Sequence, residues 1–212
     1  MKQKVQYFFK KYAQTVVNYY LFISFGSFSM HQTYKIWEEG RLDYLEASFA
    51  LQNLVLVTLF LIRKNYISFN NNIFNQIIAI TAFFSGVAFI GQPISGSAEQ
   101  VLISKIIIFI ANVLGIITLF NLGKSFGILI AFREIKTTGL YSIVRHPMYV
   151  TDILLRIGYV VSHVNLFTVL IFILSSFAYI YRAILEEKFL SKQLEYREYM
   201  LRVKYRLLPY LF

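Results

Sequence analysis

Apolar residues gather into runs at about Ala13–Met30, Leu45–Ile62, Ile73–Gly91 and Leu102–Leu122. Each is near the length a helix needs to cross a bilayer. A shorter run, Val150–Val161, and a longer one, Leu166–Tyr181, follow, with Ser162-His163-Val164-Asn165 as a tight turn between them. The pattern predicts an all-α, polytopic integral membrane protein with about six spanning helices, the last two a helical hairpin, and then a C-terminal amphipathic helix. One membrane domain would cover residues 1–212: four N-terminal spans over 1–122, then 123–212 with the hairpin and terminal helix. The first run follows Lys2, Lys4, Lys10 and Lys11 as a signal peptide would. It lacks a small-residue cleavage site and more spans follow, so it reads as an uncleaved helix.

Polar positions interrupt these runs in places that carry meaning. Gly123, Gly127 and Gly139 break the stretch after the fourth run, where Thr137-Thr138-Gly139-Leu140-Tyr141 reads as a turn. Asn70-Asn71-Asn72 reads as another. Asp152 and Arg156 are four apart on one helical face, where they could pair, and a lipid-facing position would be costly. Leu185, Phe189, Tyr196, Met200 and Val203 form one stripe, for which packing alone is a sufficient account.

Composition agrees: 57% of residues are hydrophobic and 15% charged, where soluble domains carry about a quarter. The 16 Tyr and 21 Phe suit membrane interfaces and apolar pockets. Lack of cysteine removes disulfides and thiol chemistry. A net charge of +10 raises nucleic acid as a partner. The basic residues instead follow the alternation of the spans. Lys residues at the N-terminus, Arg63-Lys64, the Lys124–Arg145 segment and the C-terminal Arg/Lys residues fall on one side, and Glu38, Glu39, Asp43 and Glu99 on the other. Both termini are therefore expected in the cytoplasm, with the bilayer rather than nucleic acid as partner. The lean toward Ile, Asn, Lys and Phe points to an AT-rich genome and a bacterial inner membrane. Oligomeric state is unreadable, because a lipid-facing aromatic surface looks much like an interface.

Candidate chemistry concentrates in Arg145-His146-Pro147-Met148-Tyr149 and, beyond the hairpin, Glu186-Glu187. Pro147 suits the first turn of a helix, which places His146 beside free N–H groups that favour anions. Arg145 adds a fork of donors suited to a carboxylate. Arg182 and Glu186 are four apart, so a surface ion pair between them is one reading, and Glu187 points elsewhere by about 100°. Phosphate-binding loops, dinucleotide fingerprints and nucleophile elbows are absent, and His31, His146 and His163 are too dispersed for a helical zinc motif.

The joint pattern of Gly139-Leu140-Tyr141 through Tyr149, Arg182…Glu186-Glu187, Tyr196-x-x-Tyr199 and Arg206-Leu207-Leu208-Pro209 resembles the isoprenylcysteine carboxyl methyltransferase family. That family groups with phospholipid N-methyltransferases. The resemblance covers roughly residues 120–212. It implies an S-adenosylmethionine-dependent membrane enzyme acting on a lipophilic acceptor, an isoprenylcysteine-like carboxylate or a lipid amine, at the cytoplasmic face. Gly139, Tyr141, His146, Pro147, Tyr149 and Glu187 would line the cofactor. Arg145 and Glu186 would support the pocket, Arg182 would approach the acceptor, and no metal is implied. Thr151 and Gln193 stand where the family often has glycine, which bears on substrate identity more than on cofactor use. Two rivals share some of these features: an NADPH-dependent reductase of a sterol-like double bond, whose Arg-His-Pro-x-Tyr motif is often followed by an acid as Asp152 follows here, and a non-catalytic scaffold.

Overall fold

The computed structural model describes residues 2–40, 42–89 and 92–211, with side chains from residue 12 onward. Gly91 and the side chains of Lys2, Lys4, Lys10 and Lys11 lie outside the described residues. Seven α-helices run in order among them: α1 (Lys2–Glu38), α2 (Tyr44–Ile62), α3 (Ile73–Phe84), α4 (Ala98–Leu122), α5 (Pro147–Ser162), α6 (Leu166–Leu190) and α7 (Leu194–Arg202). Among the described residues three segments are long and apolar enough to cross a membrane: Tyr44–Ile62, Ala98–Ser125 and Leu166–Leu190. The protein is a membrane protein, but the expected six spans are not shown. Polar residues such as Gln14 and Asn18 interrupt the apolar part of α1. α3 has only 12 residues before a 3-10 turn at Ser85–Phe89, and α5 has 16 and carries Asp152 and Arg156.

Side chains at the boundaries set most helix starts. Asp43 accepts from Leu45 N and Glu46 N, and Asn72 from Phe74 N and Asn75 N. Ser97 with Gln100, and Asn165 with Thr168, form reciprocal caps for α4 and α6. Each cap satisfies N–H groups that the first helical turn leaves open. Beyond the expected helices, Ser68–Phe69 (β1) pairs antiparallel with Ala131–Phe132 (β2). The buried amide of Gln76 bridges the two segments, donating to Asn70 O and Ile130 O and accepting from Ile130 N.

α4 packs on α5, α2 on both α1 and α4, and α3 on α6. Gly158 lets α5 approach α4 at Ile108, and Ser104 Oγ donates to Gly158 O at 2.7 Å, the small-residue packing and interhelical hydrogen bonding typical of membrane helices. Arg156 donates to the main-chain oxygen of Asp152 and to Ser85 Oγ, tying α5 to the turn after α3. One core surrounds Phe60, Leu119 and Phe126, and a second surrounds Tyr149, Tyr179 and Leu207. Large apolar side chains such as Phe120, Leu174 and Phe177 point outward, as a lipid-facing surface requires.

Candidate functional site

Residues 123–146 and the tail after α7 meet at one end of the helices. Gly139 adopts φ 61°, and a Cβ there would run into Asn121 Oδ1, the atom that accepts from Leu140 N at 2.9 Å. Glycine is thus required by both conformation and space. The 3-10 turn that follows, Gly139–Ser142, buries Tyr141, whose main-chain oxygen accepts from Tyr199 Oη at 2.6 Å. Arg145 N donates to Tyr205 O and His146 N to Arg206 O, so main-chain hydrogen bonds fasten the tail to the motif. Pro147 then opens α5 with His146 at the cap position.

Glu187 is the hub of this region. Its carboxylate, 4% exposed, accepts from Arg145 Nε at 2.7 Å and lies 2.8 Å from Arg206 Nη2 and 3.1 Å from His146 Nε2. Arg145 Nη1 also donates to Val203 O and Lys204 O. Several donors on one carboxylate offset the penalty of taking charge from water. Glu186 points elsewhere. Tyr149 donates to its Oε2, His146 Nδ1 lies 3.9 Å from that oxygen, and no protein donor among the described residues meets Oε1. Arg182 does not form the simple surface pair with Glu186. Its guanidinium donates to Ala79 O and Ile128 O and lies 5.1 Å from the centre of the Tyr149 ring. Tyr149 in turn stacks on His146, with 8° between the rings.

These groups border a cavity with about 890 Å³ of open space, part of it continuous with solvent. Tyr141, Arg145, His146, Tyr149, Arg182 and Glu186 line it. Gly139, Pro147 and Glu187 stand behind its wall as backbone and charge support. Tyr196, Tyr199, Phe132 and Asp152 add aromatic and acidic surface, and Arg133 and Lys136 add cations. Ser125 Oγ and Arg182 Nε, both on lining residues, are buried without a protein partner. Burial pushes the Tyr141 phenol above its usual range, with Glu186 adding to the effect, so it stays a neutral donor. Burial lowers Arg133 despite the nearby Glu186.

Sequence reasoning missed Asn121, Arg133 and Arg206. The first two have no local signal, since their partners come from distant segments. Arg206 lies inside the terminal motif, but no sequence signal shows that its side chain turns back on Glu187. Thr151 is buried with its hydroxyl on Met148 O, and Gln193 precedes α7; neither lines the cavity.

No curated protein matches the chain in sequence. The family described as phospholipid methyltransferase matches residues 92–197, half of the chain, which take in α4, the loop after it, the motif, the hairpin and both glutamates. On this match the chain belongs to the phospholipid methyltransferase family of membrane methyltransferases.

Proposed function

We propose that the protein transfers a methyl group from S-adenosylmethionine to a lipophilic acceptor at the cytoplasmic face of the membrane, the acceptor being an isoprenylcysteine-like carboxylate or a lipid amine. The observation that carries this reading is the convergence of His146, Tyr149, Tyr141, Arg182 and Glu186 on one cavity at the end of the helices. The lining suits that cofactor on three counts. Stacked aromatic faces at His146 and Tyr149 accommodate a sulfonium or a purine ring. Glu186 offers an oxygen for ribose hydroxyls or an ammonium, and Ser125 Oγ and Arg182 Nε are buried donors without protein partners. Lys136 and the N-terminus of α5 favour a carboxylate.

When bound, S-adenosylmethionine supplies an electrophilic methyl group. The chain's own contribution is alignment and exclusion of water, which such a displacement needs more than a strong acid. Glu187, with Arg145 and Arg206, holds the loop and tail in register and fixes the His146 ring. Arg182 secures α6 to α3 and to the Gly127–Ile128 segment, and it supports the Tyr149 ring toward the acceptor side. A carboxylate acceptor arrives as a ready nucleophile. An amine must first lose a proton, and Glu186, with one oxygen unengaged, is the carboxylate we assign to take it.

Calorimetric titration of the detergent-purified protein with S-adenosylmethionine, and separately with NADPH, tests the reading. Micromolar binding of the first alone is expected. Binding of NADPH alone would replace this reading with the reductase, and silence from both in folded protein would replace it with a scaffold.

A further inference from the structure

A second opening lies on the other side of Arg133. It is walled by Val17 and Leu21 of α1, Ile80 and Phe84 of α3, and Ile128, with about 1100 Å³ of open space, part of it continuous with the surroundings. All of its lining except Ile128, Leu129 and Arg133 comes from residues before position 92, outside the family match. The walls are apolar, and the polar end is cationic: Arg63, Lys64 and Arg133 line it, and among the described residues no acidic one does.

The state of those cations defines the vacancy in the charge pattern. Lys64 Nζ is already paired with Glu134 at 2.5 Å. Arg63 Nε donates to Asn18 Oδ1 at 2.6 Å, and Arg133 Nε to Lys64 O at 3.0 Å. Among the described residues no hydrogen bond engages the Nη groups of either arginine. Burial, with the neighbouring Arg133 charge, lowers Arg63 to about 10, and no carboxylate contributes. Two half-buried guanidiniums that repel one another, each anchored through Nε, leave paired donors for an oxyanion. Glu186 acts on Arg133 from the cavity side, not from the groove.

We propose that this groove binds an anionic amphiphile, with its phosphate on Arg63 and Arg133 and its chain along Val17, Leu21, Ile80 and Phe84. Leu129 and Arg133 border both the groove and the candidate cofactor cavity. Resting on the methyltransferase reading, the groove is therefore where the acceptor, or the phosphate-bearing part of it, is held.

The test uses the full chain in maltoside detergent, with native mass spectrometry of bound dioctanoyl phosphatidylglycerol and, as the neutral-headgroup comparison, dioctanoyl glycerol. Wild type should retain the anionic lipid at least tenfold more tightly. Arg63→Gln with Arg133→Gln should abolish that preference. Lys188→Gln with Arg197→Gln, on exposed surface, should preserve it. Unchanged thermal unfolding keeps a folding defect from imitating loss of the site. Equal retention of the two lipids by wild type, or equal loss in both double variants, would overturn the proposal. S-adenosylmethionine affinity, measured in parallel, separates the two readings: lipid selectivity without cofactor binding leaves the groove standing and removes its role as acceptor site, whereas cofactor binding without selectivity removes the groove alone.

Discussion

Adjacent glutamates here have different tasks, and the difference is set by direction on one helix. Glu187 faces the packed interior and meets Arg145, His146 and Arg206, while Glu186 faces the cavity with one oxygen unengaged. Glu187→Gln should therefore lower stability by about 3 kcal/mol, since it leaves buried cations uncompensated. Denaturation in detergent measures this. Glu186→Gln should leave stability within about 1 kcal/mol and weaken S-adenosylmethionine binding about tenfold by calorimetry. The reverse pattern would exchange their roles. The pair itself was legible in the sequence, as was their divergence around the helix. The identity of each partner was not, because Arg206 reaches Glu187 only through a tail that folds back 19 positions along the chain.

Helices were legible wherever an apolar run exceeded the reach of a soluble core element, and Leu45–Ile62 agrees with α2 to one residue. Short pairings were not. The β1–β2 bridge has two residues per strand, too few for an alternating pattern, and depends on the distant Gln76. Nor was the break between α6 and α7, where Ser191 N donates to Glu187 O and Gln193 N to Leu190 O, so the Leu185-to-Val203 stripe belongs to two helices and a turn. The turn at Gly139 is the element on which the motif hangs. Gly139→Ala should destabilise by about 1–3 kcal/mol and lower cofactor affinity as well, because the loop must withdraw from Asn121. An unchanged melting temperature and affinity would show that the loop accommodates the methyl elsewhere.

Across the whole molecule, charge underlies both the proposed orientation and the acid response. The chain has no cysteine, so single Lys124→Cys, Lys204→Cys and Glu99→Cys variants report sidedness directly. The first two should label from the cytoplasmic side and the third from the opposite side; a shared side for all would remove the proposed topology. Near the site, Glu134 lies between Lys64 and Lys136, whose hydrogen bonds draw its carboxyl down to about 2. A carboxyl lowered on folding contributes stability that is present above its ordinary value and fades as pH falls toward the lowered one. Glu134→Gln should accordingly flatten the acid limb of a stability profile between about pH 4.5 and about 2, weakly because the group is exposed. An unaltered limb would assign that acid sensitivity to buried carboxylates.

Tyr205 and Arg206 close the motif through their main-chain oxygens, and Arg206 completes the Glu187 hub. These residues follow α7 in the chain, so they are made after all seven helices. The pocket can take its shape only once that stretch is in place, which makes forming the helices and closing the site two separate steps. Cleavage after Arg202 would leave the helical bundle whole and take away the clasp of its own site.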